Sequence, residues 1–340
     1  MAMANAKHAL LGGTQVSKCA LGCMSFGSPM HHGVGRHQWT IDDQALGIKL
    51  FELAVERGVN FFDTANVYSS GDSEVCTGNY LRKLGLNRSE FVLATKFGLQ
   101  MTNGLNGSGA SRKHIIESIN ASLERLGMDY VDLLIIHRLD GRTPPEETME
   151  ALHDVVKSGK ALHIGASSMY AYEFAKLQQV AKVNKWTPFV SMQNHYNLLY
   201  REEEREMLPM LRDENVLCTP WSPLARGILA RPPKADQTDR ASKDPVLSTY
   251  QDISCEQTLI NVGKVADDLG TSRSAVGLAW LISKGCVPIV GATSYEQLSE
   301  SLDAMDIDLS AEHIQLLESA YRPLVHGIGI GRDPKQWDSK

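Results

Sequence analysis

The stretch SRKHIIESINASLERLGMDYVDLLIIHR, residues 111–138, decides the fold of this chain. Its apolar residues recur at three- and four-residue intervals, which places them on one face of an amphipathic helix. These residues are Ile115, Ile119, Leu123 and Leu126. Gly127 follows, as is typical of a helix end, and the apolar run over residues 131–136 predicts a buried strand. The stretch therefore predicts a helix followed directly by a strand.

The same order of helix, glycine and strand recurs along the chain. It is found in TIDDQALGIKLFELAVERGVNFFDTA, residues 40–65, and in EETMEALHDVVKSGKALHIGAS, residues 146–167. In the first of these we expect Thr40 with Asp43 to cap the helix and Gly58 to end it. Its apolar face is expected to include Ala45, Ile48, Leu50 and Leu53. Repeated alternation of this kind predicts a parallel sheet with crossover helices.

Polar residues end the apolar runs at regular distances. They are Asp63, Lys96, His137, Ser167, Gln193 and the pair Trp221-Ser222. Successive members are roughly 26 to 41 residues apart, the length of one unit in a barrel of eight βα units over about 250 residues. The carboxyl ends of barrel strands converge on one face, whereas a doubly wound sheet spreads them along an edge. The spacing therefore favours an α/β fold, the (β/α)8 TIM barrel, with residues 1–340 as a single domain.

Eight barrel strands are predicted near residues 18–24, 59–63, 91–96, 131–136, 162–166, 189–193, 216–220 and 287–290. HALLGGTQVS, residues 8–17, predicts an N-terminal β-hairpin with a Gly-Gly turn. The connection between the seventh and eighth strands is long and contains RPPKADQTDRASKDP, residues 231–245. A loop of this length on the catalytic face is more often functional than idle.

Composition and charge exclude several classes of protein. The net charge is −6 with acidic and basic residues interspersed, so the sequence lacks the basic stripe of a nucleic-acid-binding protein. No window approaches the roughly 20 apolar residues of a membrane-spanning helix, and no signal peptide is recognisable, so we expect a cytoplasmic protein. The cysteines form no Cys-x-x-Cys pair, which favours free thiols over disulfides or a metal site. They are Cys19, Cys23, Cys76, Cys218, Cys255 and Cys286.

If the strand ends converge, Asp63, Tyr68, Lys96 and His137 share one pocket floor. Lys96 then pairs with Asp63 and, as a nearby cation, lowers the pKa of Tyr68 from its ordinary value near 10. A neutral His137 can donate a hydrogen bond to a carbonyl oxygen while Tyr68 protonates it. Because side chains carry no hydride, such a reduction needs a nicotinamide cofactor. The structural alternatives are packing for Tyr68, a structural ion pair for Lys96 and Asp63, and a strand cap for His137.

These residues, in the strings DTANVY, ATK and IIHR, resemble the catalytic tetrad of the aldo-keto reductase superfamily. GASSMYA, FVSMQNHYNLLYREEEREMLP and PWSPLARGIL are similar to its aryl-alcohol dehydrogenase-like and YajO-type branch. The resemblance extends along essentially the whole chain. It implies a (β/α)8 barrel with a cofactor-covering loop and NADPH-dependent reduction of aldehydes or ketones. It also implies that Tyr68 is the acid, that Lys96 and Asp63 tune it, and that His137 orients the carbonyl.

The resemblance further implies a set of cofactor-binding residues. Ser167 and Gln193 would hold the nicotinamide carboxamide, with Ser168 in the place of a frequent asparagine, and Trp221 would stack on the ring. Ser222, Pro223, Leu224 and Arg226 would wrap the pyrophosphate, while Gly291, Thr293, Gln297 and Ser301 would hold the adenosine. Arg240 in the long loop would reach the cofactor phosphates. Ser294 stands where many relatives place a basic residue on the 2′-phosphate, and Ser301 replaces a frequent asparagine on the adenine.

Two rival functions are open at this point. Lys96 can be an aldolase Schiff-base lysine, although such an amine should be uncharged and Asp63 is an awkward neighbour for it. The potassium-channel β subunits also share WSPLA and act as NADPH-sensing binding partners, so a regulatory protein is the second alternative. GIGIGR, residues 327–332, lacks the strand and helix of a dinucleotide-binding fingerprint, which argues against a Rossmann dehydrogenase.

The identity of the substrate is not encoded in these motifs. We expect Phe26, Trp39, Tyr68 and Phe97 to lie at the pocket mouth and residues 98–109 to flank it. By resemblance, aromatic or medium-chain aldehydes would be substrates. The sequence leaves the oligomeric state open.

Overall fold

Eight parallel strands form the barrel that the sequence predicts. The computed structural model describes residues 8–28, 39–233, 235, 247, 250 and 255–323. An antiparallel hairpin, β1 (His8–Leu11) with β2 (Thr14–Ser17), precedes the barrel. The barrel strands are β3 (Ala20–Gly22), β4 (Phe61–Asp63), β5 (Val92–Phe97), β6 (Val131–Ile136), β7 (Ala161–Ser167), β8 (Phe189–Gln193), β9 (Leu217–Cys218) and β10 (Ile289–Val290).

The sheet closes on itself. Each strand from β3 to β8 pairs in parallel with the next one along the chain, and β10 pairs in parallel with β3. Two backbone hydrogen bonds join the last gap, from Val287 N–H to the Cys218 carbonyl at 2.9 Å and from Ile289 N–H to the Pro220 carbonyl at 3.0 Å. The predicted (β/α)8 barrel with its N-terminal hairpin is thereby confirmed.

Helices surround the strands. They are α1 (Gln44–Glu56), α2 (Asp72–Lys83), α3 (Arg112–Leu126), α4 (Pro145–Lys157), α5 (Ala171–Asn184), α6 (Met207–Asp213), α7 (Glu256–Leu269), α8 (Arg273–Ser283), α9 (Tyr295–Leu302) and α10 (Ala311–Glu318). Helix α3 ends at Gly127, whose φ of 63° is the left-handed conformation that favours glycine. The four predicted apolar residues of α3 are all buried.

Helix α1 differs in detail from the prediction. Asp43 is the N-cap, and its carboxylate accepts the N–H groups of Ala45 and Leu46, so the predicted capping role of Asp43 is confirmed. Ala45 is exposed because it lies in the first turn, where the residues before it are also exposed, and Ile48 is only partly buried. The buried face is formed by Leu50, Phe51, Leu53 and Ala54.

The core has two parts, one between helices and sheet and one inside the barrel. On β6, Leu133 and Ile135 belong to the inner cluster, while Leu134 and Ile136 belong to the outer one. This is the alternation that strand geometry requires. Leu11 and Val16 of the hairpin join the inner cluster and fill the end of the barrel opposite the strand carboxyl ends.

The remaining sequence expectations concern thiols and membranes. All six cysteines are free, as predicted. Among the described residues, every helix is too short or too polar to span a membrane. Residues 236–246, with Arg240, lie outside the described part of the chain, as do residues 29–38.

A buried ion pair ties α2 and α3 to the barrel wall. The fully buried carboxylate of Glu74 accepts a hydrogen bond from Arg125 Nε at 2.6 Å and another from Thr95 Oγ1 at 2.5 Å. Removing one partner of a buried pair leaves an uncompensated charge in the interior, which is strongly destabilising. The arrangement therefore makes Glu74 depend on Arg125.

We expect Arg125→Met to lower the free energy of unfolding by about 3 kcal/mol, because the Glu74 carboxylate loses its cation. The matched control is Arg112→Met, whose partner Asp154 is exposed, and its loss should stay below about 1 kcal/mol. Urea denaturation of both variants measures the difference. Equal losses would show that the Glu74 pair contributes no more than a surface pair.

Candidate active site

A cavity of about 1060 Å³ opens at the carboxyl ends of the barrel strands. Most of the residues singled out by the sequence line it. They are Asp63, Tyr68, His137, Ser167, Gln193, Trp221, Ser222, Pro223, Leu224, Arg226, Gly291, Thr293, Gln297 and Ser301. Lys96 and Ser168 are not part of the lining but bond to lining residues, Tyr68 and Trp221 respectively. Arg240 lies outside the described residues.

The ammonium group of Lys96 is the centre of this arrangement. Lys96 is completely buried, and its Nζ donates to Asp63 Oδ1 at 2.5 Å, to the Thr64 carbonyl at 2.8 Å and to the Tyr68 hydroxyl at 3.4 Å. An ammonium has three N–H donors, so these three acceptors satisfy it fully. Burial acts to lower the pKa of Lys96, but Asp63 and Tyr68 outweigh it and the pKa is raised. Lys96 is therefore a charged ammonium at neutral pH.

Gln193 completes the shell around Asp63. Its Nε2 donates to the second carboxylate oxygen, Asp63 Oδ2, at 2.9 Å. The carboxylate thus accepts from Lys96 on one oxygen and from Gln193 on the other. In this structure the side chain of Gln193 supports Asp63, a contact that the sequence did not predict.

The turn after β4 holds Tyr68 in place by unusual backbone geometry. Ser69 and Ser70 have φ values of 47° and 55°, and Gly71 has a φ of 99°. Left-handed conformations cost free energy for residues other than glycine and persist only where the surrounding structure imposes them. The ring of Tyr68 lies edge-on to that of His137, with centroids 5.6 Å apart. The strained turn brings a phenol, an ammonium and an imidazole together.

Burial sets the protonation states of Tyr68 and His137. It raises the pKa of Tyr68, and the opposing charge of Lys96 does not overcome this, so the expected lowering of that pKa is wrong in direction. Desolvation destabilises the phenolate form of Tyr68. This effect outweighs the stabilisation of the phenolate by the Lys96 ammonium, whose charge is neutralised by Asp63. Burial, with the charges of Lys96 and Arg138, lowers the pKa of His137 well below its ordinary value. At neutral pH Tyr68 carries its proton and His137 is a neutral imidazole.

Trp221 forms a flat wall of the cavity. The imidazole of His195 stacks on its indole at 4.3 Å between ring centroids, and Tyr200 stacks on the other side of His195 at 4.4 Å. The indole Nε1 donates to Ser168 Oγ at 2.9 Å. These contacts fix the plane of the indole.

Asn194 holds this wall in position. Its side-chain oxygen accepts the N–H of Ser168 at 2.9 Å, and its backbone carbonyl accepts the N–H of Trp221 at 3.0 Å. Its Nδ2 donates to the buried carboxylate of Glu203 at 2.5 Å. Ser168 is in the left-handed region with a φ of 49°, so the Asn194 bond stabilises a strained residue.

The far half of the cavity is built from backbone and small polar side chains. Ser222, Ala225 and Arg226 have left-handed φ values of 49°, 49° and 59°, and successive turns of this kind form concave anion-binding surfaces. Gln297 Oε1 accepts both the N–H and the hydroxyl of Thr293 at 3.1 Å. Ser294 caps helix α9 by accepting the N–H of Gln297, so the cap at this end of the cavity is a neutral hydroxyl.

The cavity suits a nicotinamide dinucleotide. The indole face of Trp221 suits a flat ring. The concave stretch of backbone and the side chains of Arg226 and Arg231 suit the phosphates. Among the described residues, no group of three or more His, Cys, Asp or Glu side chains is arranged to hold a metal ion.

Other residues of the cavity were not anticipated. Arg138, Arg231 and Met24 line it, and Asn194 supports it. A charged residue two positions after the apolar run of β6 was the signal for Arg138. Trp39 lines the cavity as expected, as do Leu99 and Gln100 of the 98–109 loop. The expectation that Phe26 and Phe97 form the pocket mouth is wrong, because both rings pack into the outer core.

Comparison with known proteins gives a consistent set of matches. The aldo/keto reductase family matches residues 20–322. Versiconal hemiacetal acetate reductase of Aspergillus parasiticus is 42% identical over 93% of this chain and 97% of its own length. Aldo-keto reductase AFTS1 of Alternaria alternata is 42% identical over 91% of this chain and 90% of its own length. AAD16 of Saccharomyces cerevisiae, whose name assigns it to the aryl-alcohol dehydrogenases, is 39% identical over 92% of this chain and 95% of its own length.

Glu203 is expected to make stability depend on pH. Burial raises its pKa from 4.5 to about 7, with the Asn194 bond opposing and Glu202 adding to the rise. The native protein then keeps a proton that the unfolded chain has lost, so the contribution of Glu203 to stability falls as pH rises from about 4.5 to about 7. Glu203→Gln should remove this decline. The free energy of unfolding of Glu203→Gln minus that of the unmodified protein should increase by about 2 to 3 kcal/mol from pH 5 to pH 7.5.

Urea denaturation at the two pH values measures this change. The control is Glu206→Gln, an exposed neighbour, whose effect should stay within about 0.5 kcal/mol at both pH values. A difference between Glu203→Gln and the unmodified protein that is independent of pH would contradict the raised pKa.

Proposed function

The chain belongs to the aldo/keto reductase family, and on that premise we propose that it is an NADPH-dependent reductase of aldehydes or ketones with Tyr68 as the general acid. Membership of the family and relatives named as reductases make it an oxidoreductase. The observation that supports the finer assignment is the contact of the charged Lys96 with the protonated hydroxyl of Tyr68. A proton donor must hold its proton at the working pH, and burial of Tyr68 provides this.

The proposed roles follow from the geometry of the four catalytic side chains. Tyr68 gives its phenolic proton to the carbonyl oxygen as negative charge develops there. Lys96 stabilises the phenolate that this leaves, and Asp63 keeps Lys96 charged and in place. The neutral His137 donates a hydrogen bond that orients the carbonyl. A bound nicotinamide cofactor supplies the hydride.

The proposed cofactor contacts are those that the family resemblance implies, and the cavity lining supports most of them. Ser167, Ser168, Gln193 and Trp221 would hold the nicotinamide half, Ser222, Pro223, Leu224 and Arg226 the pyrophosphate, and Gly291, Thr293, Gln297 and Ser301 the adenosine. Arg240 would add a phosphate contact. NADPH is proposed as the cofactor on the family resemblance and on the arginines that line the cavity.

We propose aromatic carbonyl compounds as substrates. Met24, Trp39, Val67 and Leu99 give the cavity an apolar wall in which Tyr68 also lies. Large apolar and aromatic side chains favour a flat, apolar substrate. The printed names of two relatives, an aryl-alcohol dehydrogenase and a reductase of versiconal hemiacetal acetate, are compatible with this class.

The alternatives from the sequence receive less support. A Schiff-base lysine must lose its proton, whereas Lys96 is paired with Asp63 and its pKa is raised. A regulatory protein similar to the potassium-channel β subunits would bind the cofactor without needing turnover. Cofactor binding by the unmodified protein without turnover of any aldehyde in a panel would favour that alternative.

Tyr68→Phe should lower kcat for aldehyde reduction by at least about 100-fold, because the acid is removed while the ring remains. The dissociation constant for NADPH, measured by cofactor fluorescence, should change little. Tyr172→Phe is the control, since Tyr172 is exposed and lies outside the cavity lining, and its kcat should be unchanged. Turnover by Tyr68→Phe at the rate of the control would refute the assignment of the acid.

Ser294→Arg should strengthen NADPH binding on the order of tenfold and leave NADH binding nearly unchanged, because a guanidinium pairs well with a phosphate. Ser294→Ala is the control, since it removes the helix cap without adding charge. Both dissociation constants are measured by fluorescence titration. An equal change for NADPH and NADH in Ser294→Arg would place the adenosine phosphate away from this end of the cavity.

A further inference from the structure

Arg138 is a cation of the cavity, and none of the carboxylates in the described ranges pairs with it. It follows His137 at the end of β6, and its Nη1 donates to the His137 carbonyl at 2.6 Å and to Ser167 Oγ at 3.4 Å. Its guanidinium forms no salt bridge with a carboxylate of the described residues. A guanidinium has five N–H donors, so most of its capacity is left for what enters the cavity.

The charges around Arg138 do not cancel it. Lys96 and Asp63 neutralise one another through their hydrogen bond. Tyr68 is protonated, and His137 is neutral. Burial lowers the pKa of Arg138 to about 10, which still leaves it charged at neutral pH. This part of the cavity therefore carries one net positive charge.

Arg138 lies beside the indole that is proposed to receive the nicotinamide. Its guanidinium carbon is 5.7 Å from the centroid of the Trp221 ring. His195 already covers one face of this indole in a stack at 4.3 Å. The guanidinium is therefore close to the part of the indole that remains accessible from the cavity.

We propose that Arg138 makes the site distinguish the two redox forms of the cofactor, by disfavouring the oxidised form, whose nicotinamide ring is cationic, relative to the neutral reduced form. The inference rests on the proposed function. Like charges in a partly desolvated cavity repel, whereas a cation and a neutral ring do not. Arg138 leaves the equilibrium constant of the overall reaction unchanged. It determines which cofactor form occupies the site when both forms are present.

The size of the effect follows from Coulomb's law. Two unit charges several ångström apart, at the effective dielectric constant of a protein site, give an affinity difference on the order of tenfold. The phosphates are the same in both cofactor forms, so cations that bind phosphates affect both forms equally. The ratio of the two dissociation constants therefore isolates the charge beside the ring.

The test measures binding and requires no turnover. The dissociation constant of NADPH is obtained from its fluorescence, and that of NADP⁺ from competition with NADPH. In the unmodified protein NADP⁺ should bind more weakly than NADPH. Arg138→Met should lower the ratio of the NADP⁺ to the NADPH constant on the order of tenfold, and Arg138→Lys should keep it. The control Arg231→Met removes another cavity arginine and should change both constants by the same factor.

Each outcome has a definite meaning. An unchanged ratio in Arg138→Met, or equal affinities of the unmodified protein for the two forms, would overturn the inference and leave the proposed function standing. The second result needs no variant, so it decides the question even if Arg138→Met does not fold. In Arg138→Met, the ratio of the two dissociation constants could stay constant while turnover of 4-carboxybenzaldehyde falls more than turnover of benzaldehyde. That result would overturn the inference and assign Arg138 to the binding of an anionic substrate. Failure of the unmodified protein to bind either form would overturn the proposed function as well.

Discussion

The buried contact between Lys96 and Asp63 is the interaction on which the rest of the site depends. Removing two charges from water is costly, and the cost is offset only when geometry and hydrogen bonding are complete. Here the barrel supplies every acceptor: the carboxylate from the end of β4, a carbonyl from the next residue, and a hydroxyl from the turn that follows. Gln193, from the far side of the barrel, satisfies the second carboxylate oxygen. The ion pair therefore requires the closed barrel.

Backbone strain is concentrated around this pair. In the part of the chain that the structure describes, eight residues other than glycine have positive φ. Two of them, Lys185 and Asn215, are at the ends of helices or turns on the outside. The other six are in or next to the cavity: Ser69, Ser70, Ser168, Ser222, Ala225 and Arg226. Such strain persists at functional sites because the surrounding structure imposes it. The same loops also form the anion-binding backbone and the indole wall, so the strain and the binding surface have one origin.

The barrel and most of the cavity lining could be predicted from sequence because both follow from periodicity. Strands that end on polar residues at regular intervals place Asp63, Lys96, His137 and Gln193 on one rim whatever the details of packing. Properties that depend on desolvation or on one side chain meeting another could not be predicted. The direction of the Tyr68 pKa is of this kind, since it is a balance between burial and the Lys96 charge. Arg138 and Asn194 are adjacent to residues that the pattern identified, but adjacency does not reveal which hydrogen bonds they make.

The hairpin at the start of the chain has a further consequence. Leu11 and Val16 fill the barrel interior, and Ser17 and Asn60 exchange hydrogen bonds at the end where the strands begin. Within the described residues, this apolar floor leaves the cavity side as the open end of the barrel. A molecule that binds near Lys96 therefore reaches it from the carboxyl ends of the strands, and the hairpin sets the direction of access to a site that it does not touch.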